Sequence, residues 1–381
     1  MNMSIIALAQ SSWNQLGADI DGSTNDALGA SMAMSADGSI VAVGASSANS
    51  SQGYVNVYQL SGSTWTQLGS TVSGYQSDDS FGSSVSLSSD GTVLAVGART
   101  SYATLGANSV TGYVRVYEYD DINGWQAKGD SISGQATQES LGSAVSLSSD
   151  GNVLGIGVPG ANAGGSGRGT TRVYKWNSTA WIQVGADIDG DTDGETSGIS
   201  VSLTISGADT VIAIGSPLYS TNFENDGRVR IFTLANGDWG TPDVITGDPY
   251  FNLGMTVSLS DDASRLVTGA PQDFFFSPNP LVGRAMVYEY TTSWQVLGDT
   301  LKSSLEADEF GKYVALSGDG NTVIIAAPYA VAETNPNGRI EMYAYSSNWI
   351  QVGDSIPGAA ADDAFGSSLA ISGDGLTIGA S

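Results

Sequence analysis

The 381-residue chain contains no cysteine and no histidine. The first absence excludes disulfides, zinc–thiolate sites and iron–sulfur clusters. The second removes the Ser-His-Asp and Cys-His nucleophile systems and every His-ligated metal. Positive charge is also scarce: 13 Lys and Arg stand against 39 Asp and Glu, a net charge of −26. Nucleic acid is excluded as a partner on that balance, because its binding depends on neutralising phosphates with cations. No apolar run approaches the roughly 18 residues of a membrane span, so membrane insertion is not expected. Charged residues make up only 14% of the chain, yet the hydrophobic set reaches 41%, enough to build a core and unlike a disordered composition. The apolar residues 5–9 have no basic segment before them, so they read as a strand rather than a signal peptide.

Glycine is abundant, at 50 residues, and it recurs in register. A tryptophan is followed four residues later by glycine at Trp13/Gly17, Trp65/Gly69, Trp125/Gly129, Trp181/Gly185, Trp294/Gly298 and Trp349/Gly353, with Trp239 a degenerate member. These seven tryptophans are spaced 52 to 60 residues apart. Between them lie hydrophobe–glycine pairs: Leu28-Gly29, Phe81-Gly82, Leu141-Gly142, Leu253-Gly254, Phe310-Gly311 and Phe365-Gly366, with Ser197-Gly198 weakened. One period, 81–129, reads as four strands. Residues 84–88 alternate small polar with aliphatic, the period-2 signature; Asp90-Gly91 signals a hairpin turn. Residues 93–98 are nearly all apolar, as a strand buried on both faces requires, and 113–117 and 125–129 complete the unit. Such a unit cannot bury both faces alone and stacks on its neighbours. The expectation is an all-β, seven-bladed β-propeller of four-stranded antiparallel blades, one domain over residues 1–381. Residues 4–20 and 367–380 are expected to complete one blade from the two chain ends. The repeat tryptophans then belong to the inter-blade core, and Trp176 ends a third strand.

The pairing of Phe81-Gly82 with Gly97-Ala98, and of Leu253-Gly254 with Gly269-Ala270-Pro271, resembles the FG-GAP repeats of integrin α-subunit propellers. Gly157-Val158-Pro159, Gly215-Ser216-Pro217 and Ala326-Ala327-Pro328 are variants. The fuller pattern is similar to repeats of secreted surface proteins of marine bacteria and microalgae. The resemblance implies an extracellular or cell-surface propeller used for recognition or adhesion. It does not carry the family's calcium loops over: Ser88-Ser89-Asp90-Gly91 and its equivalents keep one carboxylate each, whereas calcium takes six to eight oxygens.

Candidate chemistry falls into three groups. The string Asp189, Asp191, Asp193 and Glu195 matches the opening of a calcium loop, although Ser200 stands where a bidentate Glu is required; its plain reading is an acidic inter-blade turn. Calcium is thus the one cofactor on offer. Acids also precede most hydrophobe–glycine pairs, among them Asp78, Asp79, Asp308, Glu309, Asp362 and Asp363. They are expected on the same face as the long loops joining second to third strands, where a repeat protein carries its binding function; solubility and turn capping are the alternative. Loop aromatics Tyr102, Tyr219, Phe223, Phe274, Phe275, Phe276 and Tyr329 would contact a partner there, or fold back over their own blades. The expected function is a monomeric, non-catalytic propeller binding a protein or glycan at a cell surface. A carboxylate-dependent glycan hydrolase and a purely structural module are the alternatives.

Overall fold

The structure, a computed structural model, describes the chain apart from residues 1, 10–11, 100–110, 222–224, 273–281, 307, 330, 333–334 and 361–362, and describes only the backbone of 2–9, 12, 331–332 and 335–336. It is an all-β propeller. The expectation of seven four-stranded blades is corrected. Six blades are built from continuous chain, spanning 28–73, 81–133, 144–189, 200–246, 257–302 and 313–357, and each is a five-stranded antiparallel sheet. The ring is completed by a composite five-stranded sheet that draws Asn2–Ala9, Ser12–Gln15 and Ile20–Asp21 from one end of the chain and Leu369–Ile371 and Thr377–Ala380 from the other. Its central pairing sets Ser4 opposite Ala380 and Ile6 opposite Ile378.

The fifth strand has a local cause. The glycine four residues after the tryptophan adopts a left-handed conformation, φ +84° at Gly129 and +73° at Gly69, which an L-residue resists. The outer strand breaks there, and the chain resumes pairing three residues later on the same third strand, Val114 opposite Ile132 and Val55 opposite Val72. Sequence periodicity runs these two pieces together; the backbone separates them.

Second strands are the core. Ile40–Ala45, Val93–Ala98 and Val153–Val158 are buried at every position, sandwiched between adjoining blades, which is why alternation disappears in them. First strands adjoin one another around the axis, the strand 369–371 touching 28–34 to close the circle. Here the small polar residues have a purpose. Ser86, Ser146, Ser202 and Ser258 accept the amides of Leu147, Leu203, Leu259 and Leu316 of the following blade at 2.9–3.1 Å. Backbone approach is closest at the glycines. A Cβ on Gly97 would collide with the carbonyl of Gly142, and one on Gly44 with that of Gly82. The hydrophobe–glycine and Gly-Ala-Pro marks are therefore two sides of one inter-blade contact.

The tryptophans lock the outer edges. The indole N–H groups of Trp65, Trp125, Trp181 and Trp349 donate to the carbonyls of Leu16, Leu68, Lys128 and Leu297 in the preceding sheet at 2.7–2.9 Å. The glycine after each of those carbonyls gives the ring its room: a Cβ on Gly69 would stand 2.9 Å from Trp125 Cδ1. Trp176 is the last residue of the strand Thr170–Trp176 and packs on Trp181 at 5.5 Å between centroids.

Candidate functional site

The acids ahead of the hydrophobe–glycine pairs lie in the crossovers between blades. These crossovers share a face with the loops joining second to third strands, since Gly53 bridges Phe81 and Gly112 bridges Leu141. Most of the acids are consumed in building that face. Asp79 is buried and accepts the amides of Tyr75 and Gln76 and the hydroxyl of Tyr113 at 2.6 Å. Asp26 takes the Tyr54 hydroxyl at 2.7 Å in the same way. In later blades arginine replaces tyrosine: Glu139 receives both terminal nitrogens of Arg172, and Asp308 pairs with Arg339 at 2.9 Å. In the fifth blade Phe251 stands in the acid's place and Arg284 lies over its ring at 3.6 Å. In five crossovers a carboxylate thus fastens the turn to the third strand of the incoming blade. Burial works against the Glu139 carboxylate, but the Arg172 guanidinium and two backbone amides hold it below its ordinary range. Asp78 is exposed, and Asp363 caps the amide of Ala360. Asp362, Tyr102, Phe223, Phe274, Phe275 and Phe276 lie outside the described residues.

The calcium-like string is occupied by arginine. Asp191 pairs with Arg228 at 2.6 Å and Arg230 at 3.5 Å, Asp193 with Arg168 at 2.8 Å, and Glu195, fully buried, with Arg228 at 2.8 Å. Asp189 contributes its backbone carbonyl to Arg230. Tyr219 caps the group, its ring 4.1 Å from the Arg228 guanidinium carbon. Among the described residues no group of three or more acids is placed to hold a metal ion. The physical reason is direct: cations supplied by the protein already satisfy these carboxylates.

A different cluster stands at the inner end of the long-loop face. Lys312 directly follows Phe310-Gly311 and leads into the first strand Tyr313–Leu316. Its ammonium is 2.5 Å from the Glu309 carboxylate and 4.6 Å from the Tyr329 ring centroid. Burial would lower the Lys312 pKa, but the bonded Glu309 outweighs it and holds the ammonium above its ordinary value. Burial raises the Tyr313 phenol, opposed by the charges of Lys312 and Arg99. Arg99 follows the second strand of the second blade at the position Pro328 occupies in the sixth. Two cations from different blades thus bear on one phenol. Lys312 was legible in the sequence: the equivalent positions hold Ala30, Ser83, Ser143, Ile199, Met255 and Ser367, so it is the one charge in an otherwise neutral register.

At the opposite end of the axis a cavity of about 160 Å³ is lined by paired positions of successive first strands, such as Leu87 with Ser89 and Leu147 with Ser149. Asp261 supplies its only charged side chain; burial, with Asp262 and Asp319 nearby, raises its pKa.

No family model and no curated protein matches the sequence. The FG-GAP resemblance therefore rests on the residue pattern alone. Among solved structures, the chain is similar to a periplasmic gluconolactonase of Pseudomonas aeruginosa, at 15% identity and TM-score 0.58, with 95% of this chain and 98% of that one covered. It is also similar to a protein of Bacteroides uniformis described as a candidate 6-phosphogluconolactonase, at 11% identity, TM-score 0.59 and the same coverage. These likenesses establish the propeller fold. They also correct the expectation of a non-catalytic ring, because rings of this architecture include ones described as gluconolactonases.

Proposed function

We propose that the protein is a hydrolase of sugar-derived small molecules, acting at the inner end of its long-loop face. The observation that carries the proposal is the Lys312–Glu309 pair beside Tyr329. The partner of Glu309 is a cation and not a second acid, which favours a lactone or ester carbonyl over a glycosidic bond, where two carboxylates flank the scissile oxygen. A sugar ring stacks on Tyr329, and the Lys312 ammonium faces the carbonyl oxygen as negative charge develops on it. Glu309 takes a proton from the attacking water. Water oxygen bonds to the carbonyl carbon, the ring C–O bond breaks, and the departing oxygen receives the proton. The likeness to propellers described as gluconolactonases supports this reading, and the description of one of them as periplasmic supports a location outside the cytoplasm.

The test is hydrolysis of a panel of aldonolactones and aryl esters. Lys312→Met should lower kcat by about 100-fold or more, in the range seen when an oxyanion donor is removed, and Glu309→Gln by a similar factor. Reversible binding of oligosaccharides with no turnover of any panel member would return the face to recognition of a glycan or protein partner.

A further inference from the structure

Most blade junctions carry the same outer lock, an indole N–H bonded to the preceding sheet. The junction between the fourth and fifth blades does not. The Trp294 indole N–H is buried with no acceptor, and it is the only tryptophan in that state among the described residues. The cause lies in the fourth blade. Its outer pairing is divided differently, Asp238–Trp239 and then Asp243–Thr246, where other blades have three or four residues and then two. Gly240 follows at once, one residue after the tryptophan and not four as at Gly17, Gly69 and Gly298, and a Cβ placed on it would meet only Thr233 of its own sheet at 3.7 Å. At Gly17, Gly69 and Gly298 the same test runs into the next blade's tryptophan within 3.0 Å. On the crossover above this junction, the usual carboxylate is replaced by Phe251 under Arg284, whose Nε is also buried and unpartnered.

The inner half of this junction keeps its ties. Ser200 donates to the Gly254 carbonyl, Thr204 and Ser206 donate to the carbonyls of Asp261 and Asp262, and Ser202 accepts the Leu259 amide. Leu253, Val257, Leu259 and Leu266 pack there against Val229 and Ile231. Strong inner bonds beside an absent outer lock make a hinge with its pivot at the axis.

We infer that the ring opens at the outer edge of the junction between the fourth and fifth blades, turning on the first strands, and that this is its built-in point of flexure. The motion swings the crossover 247–252 and the start of the third strand at Arg284, next to the blade that carries Glu309 and Lys312. The inference stands on the ring's own bonding and is independent of the proposed hydrolase activity.

Two measurements on the whole chain test it. By hydrogen exchange, amides of 238–246 and 290–297 in the unaltered protein should exchange about tenfold or more faster than their equivalents 64–73 and 119–127, the factor one lost hydrogen bond is worth. In parallel, Trp294→Phe should leave the melting temperature within about 1 °C, while Trp125→Phe, which removes a bonded N–H, lowers it by a few degrees. Equal protection at the compared junctions, or equal losses from the two substitutions, would overturn the inference.

Discussion

Asp79 shows at the scale of one residue what the crossover acids do. Its carboxylate is buried and satisfies three donors, two of them backbone amides. Asp79→Ala should destabilise the fold by about 2 kcal/mol, since it leaves the buried Tyr113 hydroxyl and two partly buried amides without their acceptor. Tyr113→Phe should cost about 1 kcal/mol, and a double-mutant cycle in denaturant should show that the two losses do not add. The sequence made these acids visible as a recurring mark and left their role open between binding and capping. Their partners were not legible. Tyr54, Tyr113, Arg172, Arg228 and Arg339 lie some 28 to 34 residues downstream of the acids they meet, and phenol alternates with guanidinium, so no single residue type repeats. The same limit hid the cations on Asp191, Asp193 and Glu195, where a calcium-like spacing survived in a string whose charges arginine had already claimed. Lys312 was the reverse case, readable by aligning the repeats but overlooked because acids outnumber cations threefold.

At the scale of the element, the inner hairpin is a side-chain device as well as a glycine turn. In Ser88-Ser89-Asp90-Gly91 the Ser88 hydroxyl donates to Asp90 at 2.6 Å and accepts the Val93 amide, while Asp90 accepts the Thr92 amide. The pattern recurs at Asp37, Asp150, Asp262 and Asp319. Partial burial would raise each of these carboxyls, but the serine hydroxyl and backbone amide outweigh it and hold each below its unfolded value of 3.8. A depressed folded pKa contributes stability above the unfolded value, lost as pH falls through the folded one. Melting temperature should therefore be flat from neutrality to about pH 5 and fall progressively below pH 4. Replacing the five aspartates by asparagine should flatten the acid limb; an unchanged limb would assign acid lability elsewhere. Asp-Gly pairs marked these turns in the sequence except at Asp262, where Ala263 takes the left-handed position at φ +59°. The fifth strand did not show there, because two residues such as Ile132 and Ser133 carry no periodicity.

At the scale of the whole molecule, the chain ends are held in one sheet. Deleting residues 1–12 strips Thr377–Ala380 of one of its two partners and leaves an open edge on the ring. The melting temperature should drop by about 10 °C or more, and association should appear in sedimentation, because an unpaired edge invites pairing with another copy. Repulsion among charges summing to −26 acts on the entire ring. Raising salt from about 10 mM to about 150 mM shortens the screening length to about 8 Å and should raise the melting temperature.

The glycine contacts between blades have a further consequence. Each blade behaves as a wedge-shaped block in an arch, and joints such as Gly97 against Gly142 set the taper at the narrow end. An arch closes only if its tapers sum to a full turn, so no joint can thicken by itself. A methyl group at Gly97 would force the excess angle around the circle, and the joint that yields would be the one least tightly keyed at its broad end. Gly97→Ala in the second blade should thus loosen the distant joint at Trp294 before its own. Damage in such a ring appears where the masonry is weakest, and not where it was struck.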